Sequence, residues 1–189
     1  MRAANVGAGA LFVAALMVSE TASAASTIHG TPPKYSLEIE PHLDVQGFHD
    51  SGGNYGFGGG LRLSIPLMSP GFVPSINDSV AISFGGDFVR YSAGPDVCGG
   101  NVCTASSSFW VAYAPVALQW NFFLTDKWSV FAEPGVAMRH TFVDHCLDCS
   151  VDQLRPLFDM GGRYALADGM KLTMRVGFPM LASVGISIF

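Results

Sequence analysis

The chain has 189 residues, a formal net charge of −5, a hydrophobic fraction of 49% and a charged fraction of only 13%. The acidic balance argues against nucleic acid as a partner, because phosphate binding needs clustered lysine and arginine. So little charge is unusual for a water-soluble domain, yet beyond the N-terminal region no segment offers the apolar run of a membrane-spanning helix. A transmembrane β-barrel would reconcile these observations, because its lipid-facing residues alternate with lumenal ones.

The first 24 residues have the pattern of a cleaved secretory signal. Arg2 gives a positive start, residues 8–18 (AGALFVAALMV) form an apolar core, and residues 21–24 (TASA) form a small-residue cleavage site. The apolar run is shorter than the roughly 20 residues of a spanning helix, so an uncleaved anchor is the weaker alternative. We expect a signal peptide over 1–24, a short periplasmic segment over 25–34 and one barrel domain over 35–189.

Strand-like alternation of apolar and polar residues then recurs eight times. The predicted strands cover 35–46, 54–67, 79–91, 108–123, 128–141, 154–166, 171–178 and 181–189. Eight is the smallest strand number of a single-chain outer-membrane barrel. The sequence therefore predicts an all-β fold, an eight-stranded antiparallel up-and-down transmembrane β-barrel, which we expect to be a monomer.

Five prolines interrupt the predicted strands: Pro41, Pro66, Pro115, Pro134 and Pro156. Each removes one hydrogen bond of the sheet, and a β-bulge at any of them would reverse the alternation beyond it. The inward and outward assignment of neighbouring residues therefore depends on the register at these positions.

The polar side of the predicted strands carries six acids and six bases. They form a predicted lumen charge network of Glu38, Glu40, Asp44, Asp87, Glu133 and Asp159 with Arg62, Arg139, Arg155, Arg163, Lys171 and Arg175. An unpaired charge inside a narrow barrel is costly, so the balance favours a lumen closed by salt bridges. Gly56, Gly58 and Gly60 would leave room beside the first strand for long arginines, and an eight-stranded barrel is just filled by side chains.

Aromatic residues on the outward side lie toward both ends of the predicted strands. Amphipathic rings settle at the level of lipid headgroups, so two girdles are expected. The predicted girdle residues are Tyr35, Trp120, Trp128 and Tyr164 near the periplasmic rim, and Tyr55 and Trp110 near the outer rim. A chance placement of aromatic residues at strand ends is the alternative.

With its signal peptide, eight alternating segments and terminal Phe189, the chain resembles the small OmpA-type and OmpX-type outer-membrane barrels over residues 35–189. The resemblance implies a location in the cell outer membrane, contact with its lipid and lipopolysaccharide, and assembly by the barrel-assembly machinery. A C-terminal phenylalanine is that family's assembly signal. In the family the preceding apolar positions are in phase with it, whereas Ser183, Gly185 and Ser187 occupy them here, so the match is partial.

The four cysteines lie as two close pairs in predicted outer loops. These pairs are Cys98 with Cys103 and Cys146 with Cys149. A secreted chain meets an oxidising compartment, so we predict a disulfide within each pair, with pairing between the loops left open. A zinc site formed by the four thiolates, with His140 and His145 nearby, is the alternative. We expect no metal and no cofactor.

The outer loops carry acids and neither lysine nor arginine. The acids are Asp50, Asp96, Asp144, Asp148 and Asp152. A solvated acidic surface is the simple interpretation, and a Ca²⁺ site that bridges to lipopolysaccharide phosphates is the alternative.

A catalytic role would need a nucleophile, a base and an acid grouped near the outer rim. His140, Asp144 and the serines at 106–108 could meet there, as in barrels that modify lipid A, but the sequence has no nucleophile motif. We therefore predict a non-enzymatic barrel with a structural or surface-interaction role. The alternatives are a small-solute channel, a lipid A-modifying enzyme and a soluble lipocalin-like binder.

Overall fold

The computed structural model describes residues 30–48, 54–73, 75–91, 97–99, 102–104, 108–142 and 151–189. Ten strands occur there: β1 Glu38–Phe48, β2 Asn54–Met68, β3 Asp78–Tyr91, β4 Val97–Gly99, β5 Val102–Thr104, β6 Phe109–Phe123, β7 Trp128–Phe142, β8 Val151–Ala167, β9 Met170–Phe178 and β10 Ala182–Ile188. Eight of them close into an antiparallel barrel in the order β1-β10-β9-β8-β7-β6-β3-β2, and β4 and β5 form a separate hairpin. The predicted fold class is confirmed. Within these residues no helix is long and apolar enough to cross a membrane.

The barrel buries its polar face and exposes its apolar face. Along β6 and β7 buried residues alternate with exposed ones, as the two-residue period of a strand requires. Glu38 and Glu133 are fully buried, whereas Leu43 and Phe57 are 70% and 65% exposed. Apolar surface of this extent is unfavourable in water and matches the hydrocarbon of a membrane.

Closure of the sheet satisfies the backbone of the barrel strands. β1 pairs with β10 on one side and with β2 on the other, so the first and last strands are not edges. A membrane-spanning sheet needs this closure, because lipid offers no hydrogen-bond partners to an open edge.

The two ends of the barrel differ in their connections. Gly30 and Phe189 lie at one end, here called the terminal end, with the connections 69–77, 124–127 and 168–169. The tight turn at 168–169 uses Gly169 with a φ of 74°, a conformation that glycine adopts without strain. The opposite end, here called the loop end, carries the connections from β1 to β2, β3 to β6, β7 to β8 and β9 to β10.

Asp78 holds the long connection 69–77 against the terminal end. Its carboxylate accepts the backbone N–H of Gly71 at 3.0 Å and of Val73 at 3.4 Å. The same carboxylate accepts the indole N–H of Trp120 at 2.8 Å, and the ring of Phe72 lies edge-on to Trp120 at 5.6 Å. This connection is therefore folded onto the barrel.

The prolines leave the alternation of the barrel intact. Pro41, Pro66, Pro115, Pro134 and Pro156 all lie within strands. Pro41, Pro115 and Pro134 each sit at a short gap in the pairing to one neighbour while the pairing to the other neighbour continues in register. A register shift occurs between Pro66 and Met68, at the end of β2. The lost hydrogen bonds are therefore local, because each residue of an inner strand bonds to one neighbour at a time.

Candidate functional site

The lumen is lined by the polar residues of the barrel strands. Ten of the twelve charged residues predicted to line it are buried: Glu38, Glu40, Asp44, Arg62, Asp87, Glu133, Arg139, Asp159, Arg163 and Arg175. The other two, Arg155 and Lys171, are partly exposed. Arg155 lies on the loop-end half of β8, and Lys171 lies at the terminal end of β9.

Arg175 on β9 joins opposite walls of the barrel. Its guanidinium donates to both carboxylate oxygens of Glu40 on β1, and the contact from Nη2 to Oε2 measures 3.0 Å. Its Nε donates to Oε2 of Glu133 on β7 at 2.9 Å. β1 and β7 are four places apart in the ring of eight strands, so the guanidinium spans the bore. We call Arg175, Glu40 and Glu133 the wall-to-wall tie.

Three neighbouring side chains add further contacts to the two carboxylates of the tie. The Gln119 amide donates to Oε1 of Glu133 at 2.5 Å, and the Ser187 hydroxyl donates to Oε2 of Glu40 at 3.0 Å. Arg62 Nη1 lies 3.7 Å from Oε2 of Glu133. Gln119 and Ser187 are uncharged, so a count of charges does not predict them. Their side chains nevertheless face the lumen, as those of the charged residues do.

A second arginine lies between the tie and the terminal end. Arg163 donates to Glu38 Oε1 and to Asn121 Oδ1, each at 2.7 Å. The buried ring of Phe131 lies between the two arginines, with its centroid 4.5 Å from Cζ of Arg163 and 5.1 Å from Cζ of Arg175. Cation–π contacts of this kind are strengthened by desolvation. Phe131 was not among the predicted lumen residues, because a search for charges passes over an inward phenylalanine.

Aromatic rings cover the terminal end of the lumen. The Lys171 ammonium lies 5.5 Å from the ring centroid of Phe123 and 5.3 Å from that of Phe189. Tyr35 packs against Phe189 with a centroid separation of 4.7 Å. Tyr35 was predicted to belong to the girdle, but it precedes β1 and packs on the last residue of the chain instead.

The other predicted girdle residues lie toward the strand ends. Trp128 and Tyr164 form a ring pair 4.8 Å apart at the terminal end, where Trp120 also lies. Tyr55 and Trp110, at the loop end, are 59% and 46% exposed. These five side chains lie at the strand ends, where the two girdles were predicted.

An apolar cluster fills the lumen toward the loop end. It consists of Val89, Tyr91, Val111, Tyr113, Ala117, Ala137, Leu157 and Met180, with Phe109 packed against it. The Tyr91 hydroxyl donates to Oε1 of Gln46 at 2.9 Å, and its ring stacks on Phe109 at 5.2 Å. Met180 comes from the connection between β9 and β10 and is only 3% exposed, so this connection folds into the barrel.

The glycines of β2 make room for residues other than arginines. A Cβ atom on Gly56 or Gly58 would lie 2.6 Å or 2.8 Å from a methyl group of Val89. A Cβ atom on Gly60 would lie 2.2 Å from Oδ1 of Asp87. The expectation that this space holds long arginines is therefore wrong, because inward side chains of the neighbouring strand β3 lean across β2.

His42 on β1 faces two carboxylates. Its Nε2 lies 2.6 Å from Oδ1 of Asp87 and 3.5 Å from Oδ1 of Asp44, and all three side chains are buried. Neither carboxylate oxygen of Asp44 has a hydrogen-bond partner among the described residues, and the same holds for Asp159. The charges of the lumen are therefore paired unevenly, although their numbers balance.

Two members of the alternative catalytic group, His140 and Ser108, lie in the described part of the chain. His140 Nδ1 lies 2.5 Å from Oδ1 of Asp152, and both side chains are exposed at the loop end. Ser108 Oγ accepts from Nη2 of Arg90 at 3.3 Å. Ser106, Ser107 and Asp144 lie outside the described residues.

The predicted disulfides and most acidic loop residues fall outside the described side chains. This applies to Cys98, Cys103, Cys146, Cys149, Asp50, Asp96, Asp148 and His145, and to the signal peptide at 1–24. The backbone positions of Cys98 and Cys103 are directly opposite each other in the hairpin of β4 and β5.

Comparisons with known proteins agree with this architecture. No family model and no curated protein matches the sequence. Among solved structures, the chain is similar to Ail, the attachment invasion locus protein of Yersinia pestis, which was crystallised in complex with the heparin analogue sucrose octasulfate. The TM-score is 0.51 at 9% sequence identity, covering 80% of this chain and 94% of Ail. The fold is that of an eight-stranded outer-membrane barrel.

Similarity at this level of identity establishes the fold. It confirms that the small outer-membrane barrels are the architecture that the sequence resembles. The apolar exterior and the closed barrel both support the predicted location in the cell outer membrane.

Proposed function

We propose that this chain is a non-enzymatic outer-membrane barrel with a closed lumen, in a structural or surface-interaction role. The observation that carries the proposal is the wall-to-wall tie of Arg175 with Glu40 and Glu133. The tie crosses the bore at one level, and the apolar cluster fills the bore toward the loop end. A water-filled pore needs neither feature.

Energetics favour a permanently closed interior. Removing one partner of a buried ion pair leaves the other unpaired at a cost of about 3–5 kcal/mol. An ion that crossed the barrel would have to displace Arg175 and then pass the desolvated side chains of the apolar cluster. Neither step is compatible with fast diffusion of solutes.

The exterior supports lipid as the first partner. Outward residues such as Leu43, Phe57 and Leu154 are 65–70% exposed, the range in which hydrocarbon would cover them. The proposed partners are outer-membrane lipid, lipopolysaccharide and, through terminal Phe189, the barrel-assembly machinery. We further propose one disulfide in each cysteine pair, because the backbones of Cys98 and Cys103 are opposite each other.

The charge of the loops favours a partner of the opposite charge from the ligand in the Ail crystal. Sucrose octasulfate, the ligand in the Ail crystal, is a polyanion. The loops of this chain at the loop end carry aspartates and neither lysine nor arginine. Complementary charge therefore favours a cationic partner surface over a sulfated polysaccharide.

Single-channel recording tests the closed lumen. We expect the purified barrel in planar bilayers to show no steady conductance. The double variant Arg175→Ala/Leu157→Ala, which removes the centre of the tie and part of the apolar cluster, should show intermittent steps. Lys127→Ala, an exposed substitution, is the matched control and should remain silent. Large and stable steps from the unaltered protein would make the chain a diffusion channel.

A binding assay tests the surface role. We expect detergent-solubilised barrel to be retained on immobilised polylysine in a salt-sensitive manner and not on heparin. Replacing Asp144, Asp148 and Asp152 by asparagine should weaken the retention. Retention on heparin alone would contradict the proposed charge preference.

A further inference from the structure

His42, Asp44 and Asp87 form a compact cluster of buried metal-ligating groups in the lumen. One ligand atom from each side chain can be chosen so that all three lie within 4.8 Å of one another. Asp44 and Asp87 are 2% and 0% exposed. Proximity of acids alone does not define a site, so the hydrogen bonding of each group decides whether a ligand belongs there.

The hydrogen bonds of His42 direct Nε2 toward the two carboxylates. Nδ1 lies 3.2 Å from the backbone carbonyl oxygen of Glu40, which can only accept, so Nδ1 carries a proton and donates. Nε2 points at Oδ1 of Asp87 from 2.6 Å. A lone pair cannot face a carboxylate at this distance, so a proton lies between the two atoms as they stand. A metal ion would replace that proton once the two atoms move apart to about 3.4 Å. A histidine fixed through Nδ1 in this way is a common arrangement for a metal ligand.

Asp44 separates these two explanations. Neither of its oxygens has a hydrogen-bond partner in the described part of the chain, and Oδ2 of Asp87 also has none. A proton on Nε2 would satisfy one oxygen of Asp87 and leave both oxygens of Asp44 buried without a hydrogen bond, with Oδ1 only 3.5 Å from the charged ring, which is costly. A metal ion would satisfy both carboxylates together.

The arginines that act electrostatically on Asp44 make no hydrogen bond to it. They are Arg62, whose Nε and Nη1 have no hydrogen-bond partner among the described residues, and Arg175. Both lie against Glu133, and Arg175 also binds Glu40. A bound cation would supply the positive charge that Asp44 does not share with any arginine of its own.

Glycines in both neighbouring strands create the space around His42. Gly60 on β2 is the register partner of both His42 and Asp87, so Asp87 reaches His42 across a residue without a side chain. Gly185 on β10 is the register partner of His42 on its other side. A Cβ atom there would lie 2.7 Å from Cβ of His42. Alanine at either position would push a ligand out of place.

We propose that His42, Asp44 and Asp87 bind one divalent first-row transition-metal ion, of the zinc class, inside the barrel. One imidazole and two carboxylates are a ligand set that Zn²⁺ accepts at about 2.0–2.2 Å. Two ligand atoms of a tetrahedral ion are then about 3.4 Å apart, and the separation of Nε2 and Asp44 Oδ1 is 3.5 Å. A rotation of the Asp87 carboxylate would lengthen the 2.6 Å contact between its Oδ1 and Nε2 to a similar separation.

Metal retention by the folded barrel tests the proposal. The chain is refolded in detergent with Zn²⁺, freed of unbound metal and assayed by elemental mass spectrometry, with folding checked by its heat-dependent gel mobility. We expect about one ion per chain, and at least a tenfold loss in His42→Gln, Asp44→Asn and Asp87→Asn. Asp159→Asn, which alters another buried unpartnered carboxylate, and His140→Gln, which alters an exposed histidine, should keep the ion.

X-ray absorption of the unaltered protein provides a test that needs no variant. The proposal requires nitrogen and oxygen neighbours with one imidazole and no sulfur. Sulfur scattering would place the metal at the cysteines and overturn the proposal. So would retention at background level in the folded unaltered protein, or equal retention in folded Asp44→Asn.

Discussion

The lumen is closed in two chemically different ways, by the wall-to-wall tie and by the apolar cluster. In the tie, Arg175 satisfies two carboxylates on opposite walls, so losing Arg175 deprives both buried carboxylates of their hydrogen-bonded charge partner. In the apolar cluster, losing a methyl group leaves a small cavity, and the cost grows with the volume removed. A single substitution in the tie is therefore expected to cause a large loss of stability, whereas the loss in the apolar cluster depends on how many atoms are removed.

The largest effect should follow removal of the centre of the tie. Arg175→Met keeps most of the side-chain volume but leaves Glu40 without its ion-pair partner and Glu133 with only the 3.7 Å contact to Arg62, so we expect the free energy of unfolding to fall by about 3–5 kcal/mol. Urea unfolding in detergent measures the change. Lys127→Met removes a cation from an exposed turn and should change stability by less than about 0.5 kcal/mol. Equal stability of Arg175→Met and the unaltered protein would show that the tie is dispensable.

A cavity in the apolar cluster should cost somewhat less. Leu157 is 2% exposed, and Leu157→Ala should lower the free energy of unfolding by about 2–4 kcal/mol. If the two closures are independent, the loss in the double variant with Arg175→Met should equal the sum of the single losses within about 0.5 kcal/mol. A double variant no less stable than Arg175→Met would show that the two act as one unit.

Overpacking beside Phe131 should have an intermediate effect. A Cβ atom on Gly161 would lie 2.4 Å from Cζ of Phe131, whereas one on Gly162 would meet nothing nearer than 3.8 Å. We expect Gly161→Ala to destabilise the barrel by about 1–3 kcal/mol, because Phe131 is held between two arginines. Gly162→Ala is the adjacent control. Thermal unfolding followed by circular dichroism would separate the two, and similar melting temperatures would contradict the packing argument.

The smallest effect, and of opposite sign, should come from Asp159. It lies directly opposite Glu133 in register, and neither of its oxygens has a hydrogen-bond partner in the described residues. Asp159→Asn removes a like charge beside the tie, so the free energy of unfolding should rise by about 0.5–1 kcal/mol. Urea unfolding again gives the sign. A clear loss of stability would mean that the Asp159 carboxylate has a partner after all.

The alternation of residues was enough to predict the eight barrel strands and which of their charged residues face the lumen, whereas the short hairpin of β4 and β5 was not predicted. A period of two is local, so Glu38, Glu133 and Arg175 could be placed inside without knowing their neighbours. The prolines did not disturb this, because the register continues past Pro41 and Pro134.

The contacts across the lumen could not be predicted in the same way. The bond between Arg175 and Glu40 joins residues 135 positions apart, and no local pattern encodes it. The role of Gly60 depends on Asp87 of the next strand, and the contact of Tyr35 with Phe189 joins the two ends of the barrel domain in sequence. Charge counting suggested complete pairing, whereas the geometry leaves Asp44 and Asp159 without hydrogen bonds in the described chain.

The pairing of β1 with β10 has a consequence for the time course of assembly. β1 gains its second neighbour only when β10, the last strand, pairs with it. Intermediates that form before this pairing therefore carry two open edges. Contacts between residues far apart in sequence slow folding, because the chain between them must be ordered first. Closure of the sheet, with the bond between Arg175 and Glu40, is therefore a late event, and the open edges are prone to aggregation until then.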